Sequence, residues 1–492
     1  MEERSGKRRN GMMSILMLPW LAHGHISPFL ELSKRLSDRN ITIYFCSTPV
    51  NLSPIKRRLA RTKYSSRIHL VELHLPHLPD LPPHLHTTKH LPPCLMPTLK
   101  TAFDLSAPGF SITLGLLHPD LVVYDFLQPW APVVALSQGI PVVEFFCTGA
   151  AMSAFSIWFL MNLGVESPFP ELHLQDHELP GFVQLFERTA NGIKDGDRWK
   201  RCTGRSVGVV LIKSFQEIET KYIDYLTIQM GKKFVPVGPL VEEDHQHDQE
   251  DDGKRVEMTE WLDSKGKNST VFVSFGSEYF LSRREITEIA HGLEQSRVNF
   301  IWVIRFHGGG REGDLQRTGP LMDSLQLQDA LPEGFLGRVR DRGCVIEGWA
   351  PQAEILRHPS TGRFLSHCGW SSVMEAMRFG VPIIAMPMHL DQPINARLVG
   401  EGVGVGLEVK RDEEGRFRRE DVAGAVRSVM VERAGERVRK RAMELRDVME
   451  LRRERGKEDE EIDGAVEELL HVCGKTNLVK DQEINHRFLV PN

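Results

Sequence analysis

Short apolar runs rich in β-branched residues, each followed by a stretch with helical periodicity, occur in two successive sets, and this alternation constrains the chain most. Strands buried on both faces of a parallel sheet read as continuous apolar runs rather than as alternating ones. The first set lies at 14–18, 41–46, 121–124, 141–145 and 207–212, and the second at 271–275, 300–305, 344–347, 363–366 and 383–386. Phe29, Leu32 and Leu36 mark one face of an early helix, and Ile286, Ile289, Ala290 and Leu293 one face of a later one. Each set predicts a parallel α/β sheet, and 492 residues are too many for one ordinary core. Between the sets lie GPL at 238–240 and the acidic run EEDHQHDQEDDG, which has no apolar anchor and reads as a solvated linker. The expected division is a first domain at 1–240, a linker at 241–253 and a second domain at 254–449, with charge-rich terminal helices running to about 470.

Composition removes several functions. A formal net charge of −5 and a pI near 6.5 give no basic field, so nucleic acid is not a partner, and Lys7, Arg8 and Arg9 read as a solvated tail. Seven scattered cysteines without CxxC spacing argue against a disulfide framework or structural zinc and for a reducing, cytoplasmic location. The apolar run at 15–22 holds Pro19 and leads straight into His23, Gly24 and His25, so it reads as a buried strand rather than a signal peptide. No apolar stretch reaches the length of about 20 residues that a membrane span needs.

The stretch WAPQAEILRHPSTGRFLSHCGWSSVMEAMRFGVPIIAMPMHLDQ, from Trp349 to Gln392, carries the chemistry. Trp349 offers a stacking face for a base. His367, Ser371 and Ser372 precede the helical pattern of Val373, Ala376 and Met377, so hydroxyls, imidazole and free helical N–H groups can converge on a diphosphate. Glu375 can accept from two ribose hydroxyls, and Asp391 with Gln392 suits a hexose. For a base, His25 follows the first strand in GHISP, and Asp125 follows another in LVVYDF, where it could fix the imidazole tautomer.

This stretch resembles the 44-residue donor box of plant UDP-dependent glycosyltransferases of glycosyltransferase family 1. The similarity extends through MLPWLAHGHISPFLELSKRL and VFVSFGSEYFLS to nearly the whole chain, from about Ser14 to about Leu470. It implies a GT-B fold, two Rossmann-like domains facing each other across a cleft, with a last helix at about 450–470 crossing back onto the first. It also implies that Trp349 stacks on uracil with Ala350 beside it, that Gln352 and Glu375 meet the ribose, and that Ser277, His367 and Ser372 contact the diphosphate. Trp370, Asp391 and Gln392 would meet the sugar, and His25 with Asp125 would be the catalytic pair. Ser371 stands where the family commonly has Asn, and Arg363 where it commonly has Gly. The implied reaction is an inverting transfer in which His25 takes the acceptor proton and helix dipoles with His367 offset the charge of departing UDP. No metal and no cofactor beyond the UDP-sugar donor substrate is expected, and the chain is read as a monomer.

MLPWLAHGHIS, LPPHLHTTKHLPP and SFGSEYFLS point to the branch that adds a sugar to an existing sugar, so the acceptor partner is a small-molecule glycoside. Transfer to a bare aglycone and a non-catalytic UDP-sugar-binding protein are the alternatives. No cation lies beside Asp391 and Gln392 in sequence to pair with a uronate, which favours UDP-glucose. Phe145, Phe146 and Trp158, with the loop 74–97, are candidate acceptor walls. The histidines at 69, 74, 77, 84, 86 and 90 lack a metal-ligand pattern. Gly308, Gly310 and Gly313 formally match GxGxxG but precede a poor helix start, and the DxD of Asp195 and Asp197 reads as a chance turn.

Overall fold

The computed structural model of the chain describes residues 13–162, 164–242, 252–305, 327–430 and 432–475. The Lys7–Arg9 cluster, most of the acidic linker and the Gly308, Gly310, Gly313 loop lie outside the described residues. The described residues form fifteen strands: β1 (Ser14–Leu18), β2 (Thr42–Ser47), β3 (Ile68–Glu72), β4 (Leu121–Tyr124), β5 (Val142–Phe146), β6 (Thr189–Ala190), β7 (Ile193–Lys194), β8 (Val209–Ile212), β9 (Lys233–Pro236), β10 (Thr270–Ser274), β11 (Asn299–Ile304), β12 (Gly343–Glu347), β13 (Thr361–Ser366), β14 (Ile383–Ala385) and β15 (Gly406–Glu408). A seven-stranded sheet runs β3-β2-β1-β4-β5-β8-β9 and a six-stranded one β12-β11-β10-β13-β14-β15, with β6 and β7 as a separate antiparallel hairpin. Every pairing in the two large sheets is parallel.

Strand order reverses between β1 and β4 in the first sheet and between β10 and β13 in the second. Chain connections leave such a point in opposite directions, which opens a crevice at the carboxyl ends of the two strands. The fold therefore offers two crevices, one per sheet.

Local signals set the helices around them. Helix Arg283–Ser296 starts with a capping box in which Ser282 and Glu285 satisfy each other's backbone N–H groups. Helix Trp370–Phe379 stops at Gly380, whose φ of 67° a side chain would disfavour. Arg363 serves the fold, because its Nε donates to the carbonyl of Val429 at 2.7 Å and closes the end of helix Arg419–Met430. Helix Asp252–Asp263 begins inside the stretch that sequence assigns to the linker.

One apolar cluster joins the two halves, running from Phe146, Phe155 and Phe215 to Trp370, Val373 and Met374. Arg397 and Glu178, both almost fully buried, form an ion pair at 2.9 Å across the same junction. Helix Lys457–Lys475 returns to the first sheet, where Ile462, Ala465, Leu469 and Val472 join the core that contains Ile15, Leu211 and Val235. Its solvent edge is tied down by Arg39, which meets Asp459 at 2.7 Å and Asp463 at 2.8 Å. Among the described residues no helix is long and apolar enough to cross a membrane, and none of the seven cysteines forms a disulfide.

Candidate active site

The first crevice holds the pair expected of a base. His25 lies in the first turn of helix His23–Ser37, just past β1, and Asp125 immediately follows β4. His25 Nδ1 is 2.7 Å from Asp125 Oδ2. The carboxylate also accepts from the Trp20 N–H at 3.1 Å through Oδ2 and from the Phe126 N–H at 2.8 Å through Oδ1, and it is fully buried. A carboxylate accepts and does not donate, so Nδ1 carries the proton and Nε2 presents a free lone pair. Burial pushes the imidazole pKa down, but the charge and hydrogen bond of Asp125, with Glu278 and Asp391 from the second half, outweigh it and raise the net value above the usual 6.5. The ring keeps one-fifth of its side-chain surface exposed and packs by Phe126, centroids 5.4 Å apart.

The second crevice gathers the other residues. Ser277 follows β10 and His367 follows β13, the two strands at the reversal. Cβ atoms on Gly276 or Gly369 would each lie 2.5 Å from His367 Nε2, so both glycines are needed to seat the ring. Its Nδ1 is enclosed, and the Ser274 backbone is the hydrogen-bonding group that acts on the ring. Burial, His389 and Arg305 push the pKa of His367 down to about 3. His367 is thus neutral here, and what it offers is a hydrogen-bonding group and not the positive charge expected from sequence.

Ser371 and Ser372 sit in the first turn of helix Trp370–Phe379, where N–H groups lack helical acceptors. Gln352 Nε2 donates to Ser372 Oγ at 3.0 Å and to Glu375 Oε2 at 2.9 Å, which ties these residues into one rim. Trp349, after β12, is 51% exposed, an unusual state for a tryptophan and one that leaves a ring face open. Ala350 beside it is buried. Asp391 stands at the N-cap position of helix Gln392–Arg397 without a side-chain capping bond, and its Oδ2 accepts from Asn395 Nδ2 at 2.8 Å.

Trp370, Gln392, Phe145 and Phe146 have side-chain surroundings that the sequence did not show. The Trp370 indole is buried in the junction and donates to the Lys213 carbonyl at 2.7 Å, so only its backbone is left to face a sugar. The side-chain oxygen of Gln392 accepts from the Met388 and His389 N–H groups at 2.9 and 3.1 Å, so that acceptor is occupied by a turn. Phe145 and Phe146 are core: Phe145 packs on Phe29 at 4.9 Å, Phe146 packs on Phe234 at 5.7 Å, and neither exceeds 1% exposure. Trp158 is half-buried against Phe155, with its indole N–H enclosed.

The DxD also differs from its reading as a turn. Asp195 and Asp197 open helix Asp195–Arg205, where acids suit the helix dipole, and Asp195 pairs with Lys100 at 2.5 Å. The loop histidines form no metal cluster among the described residues; His86 is buried on the Leu81 carbonyl, and His69, His74, His77 and His84 are exposed.

Sequence reasoning missed three charged residues. Lys213, after β8, reaches Ser371 Oγ at 2.8 Å; Arg305, after β11, donates to the Gly348 carbonyl at 2.9 Å; and Glu278 accepts from Thr88 Oγ1 at 2.8 Å, linking the halves near His25. Each is a charge just past the carboxyl end of a strand, the one signal that could have found them.

Residues 11–242 match the family model for the glycosyltransferase N-terminal domain, and residues 225–452 match that for UDP-glucoronosyl and UDP-glucosyl transferase. The chain is 48% identical to UDP-glucosyltransferase 29 of Panax ginseng, over 95% of this chain and 98% of the relative. It is 48% identical to the beta-D-glucosyl crocetin beta-1,6-glucosyltransferase of Gardenia jasminoides, over 94% and 99% of the two chains. It is 44% identical to the cyanidin-3-O-glucoside 2-O-glucuronosyltransferase of Bellis perennis, over 94% and 98%. The crystal structure of UGT73P12 of Glycyrrhiza uralensis, complexed with glycyrrhetinic acid 3-O-monoglucuronide, matches with a TM-score of 0.75 at 25% identity, over 96% of this chain and 97% of that one. Two parallel sheets of this order, with near-complete coverage at such identity, show the family to which the chain belongs: it is a plant UDP-glycosyltransferase of glycosyltransferase family 1 with the GT-B fold.

Proposed function

We propose that the chain is an inverting, UDP-glucose-dependent transferase that adds glucose to a sugar hydroxyl of a glycosylated plant small molecule, a triterpenoid or flavonoid glycoside, in the cytosol. The observation that carries this reading is the His25–Asp125 pair, its carboxylate buried and its imidazole part-exposed, with Glu278 and Asp391 acting on the imidazole from the opposite half. In this reading Trp349 stacks on uracil, Gln352 and Glu375 hold the ribose, and Ser277, His367, Ser371 and Ser372 hold the diphosphate. His25 Nε2 takes the acceptor proton, the acceptor oxygen bonds to the anomeric carbon, and the bond to the UDP oxygen breaks. One displacement inverts that carbon. Residues 1–240 would bind the acceptor and 254–449 the donor, joined by 241–253, with about 450–470 packed back on the first part.

A sugar acceptor is supported by what surrounds His25. Its neighbours include the carboxylates of Glu278 and Asp391, and Thr88 reaches Glu278. Such groups match sugar hydroxyls, which need partners once desolvated. The Gardenia relative's name describes a beta-1,6-glucosyltransferase of beta-D-glucosyl crocetin, in keeping with this reading. Glucose is supported over glucuronate because Asp391 makes no ion pair among the described residues and would repel a uronate carboxylate. The test offers UDP-glucose with matched aglycones and their monoglucosides and locates the new bond by NMR. A β-linked glucose on the existing sugar is expected, and efficient transfer to aglycones with none to the glucosides would overturn it.

A further inference from the structure

Lys213 is a cation buried in an unusual setting. Its residue exposure is 2%, yet among the described residues it makes no ion pair. Its Nζ donates to the Ser371 hydroxyl at 2.8 Å, and its carbonyl accepts from the Trp370 indole at 2.7 Å, so it grips the first two residues of helix Trp370–Phe379 from the first half. The ionisable groups facing it are Glu375 on that helix, Cys147 after β5 and Glu31 on helix His23–Ser37. None of them is an undivided counter-charge. Glu375 already accepts from Gln352, Glu31 is paired with Lys34 at 2.6 Å, and burial keeps the Cys147 thiol protonated. Burying an ammonium beside a neutral hydroxyl is costly, and burial accordingly pushes the Lys213 pKa down to about 8.

Unused donors collect at the same place. The first backbone hydrogen bond of the helix runs from the Val373 N–H to the Gly369 carbonyl at 3.0 Å, so the N–H groups before it point outward. The His367 side chain, nine-tenths buried, lies just before them. The Lys213 ammonium stands behind Ser371 in the first turn of this helix.

We propose that Lys213 is a diphosphate-binding residue supplied by the first half, whose ammonium, placed through Ser371, provides the positive charge that neutral His367 does not. This rests on the reading of residues 349–392 as the donor site. An anion held there supplies the counter-charge that Lys213 lacks, so donor binding also draws the first half onto the donor helix.

The test measures binding of UDP and of uridine to the whole enzyme and to Lys213→Met, Lys213→Arg and Trp349→Ala. Lys213→Met is expected to weaken UDP about tenfold or more, the loss of a charge-assisted contact, and to leave uridine unchanged. Lys213→Arg is expected to hold UDP as the wild type does. The wild type should lose UDP affinity as pH rises past about 8, where Lys213 gives up its proton, and Lys213→Arg should not, because a guanidinium stays charged. An unchanged UDP-to-uridine ratio in Lys213→Met overturns the proposal, whether both affinities hold or both fall. If Trp349→Ala binds uridine as the wild type does, the donor-site reading itself fails. If Trp349→Ala weakens uridine while Lys213→Met spares the ratio, only the role of Lys213 fails.

Discussion

Asp125→Asn is the sharpest probe of the proposed base because the substitution keeps shape and removes only charge and acceptor capacity. The carboxylate takes three hydrogen bonds, from His25 at 2.7 Å, Trp20 at 3.1 Å and Phe126 at 2.8 Å. An amide satisfies them in neither orientation. With its oxygen toward His25, its NH2 faces the Phe126 N–H, and a buried unsatisfied donor costs about 1 to 3 kcal/mol. With its NH2 toward His25, it opposes the Trp20 N–H and makes Nδ1 an acceptor, so Nε2 carries the proton and cannot serve as base. In both cases the imidazolium formed during transfer loses its counter-charge. We expect kcat to fall about 10²- to 10⁴-fold, which is about 2.7 to 5.4 kcal/mol of barrier.

The pH profile adds a second readout for the same variant. The neutral imidazole is the working form, so the rate rises with pH through the His25 pKa. Burial lowers that pKa, but Asp125 is the largest of the influences that lift it above 6.5; removing its charge moves the acidic limb to lower pH. The assay is turnover at saturating UDP-glucose across the pH range, with UDP binding measured in parallel and expected to hold. A variant that keeps kcat within about threefold, less than about 1 kcal/mol of barrier, with an unmoved limb would refute the role of the pair.

Trp349→Ala, at a residue 51% exposed, should weaken UDP binding about 5- to 150-fold by removing about 1 to 3 kcal/mol of stacking; unchanged UDP affinity would make Trp349 a surface residue only. Leu469→Ala empties a fully buried site where the last helix meets the first sheet, and should cost about 2 to 5 kcal/mol in chemical denaturation; a loss under about 0.5 kcal/mol would mean that this helix is not part of the cooperative core.

The sequence runs at 14–18 and 121–124 coincide with β1 and β4, which are central and buried on both faces. The strands missed in the large sheets, β3, β9 and β15, all lie at sheet edges. Edge strands bury less, so IHLVE, KFVP and GLE carry mixed patterns with little apolar signal. The same contrast governs the site. Trp349 to Gln392 was legible because one contiguous stretch supplies most of the rim, whereas Lys213, Arg305 and Glu278 are single residues that converge only through the sheets. Phe145 and Phe146 misled because a strand covered on both faces buries consecutive aromatics, and a wall and a core then look alike in sequence.

The return of helix Lys457–Lys475 to the first sheet has a consequence for synthesis. The strands it covers are complete at Pro236, but the covering residues leave the ribosome about 220 residues later. At about 5 to 20 residues per second the nascent first half waits roughly 10 to 40 s with an apolar face uncovered. During that interval it lacks the part of its core that Ile462, Ala465, Leu469 and Val472 complete. Chains interrupted before residue 457 would carry both crevices yet remain prone to aggregation, so arrival of this helix, not completion of the sites, sets when the first sheet is covered.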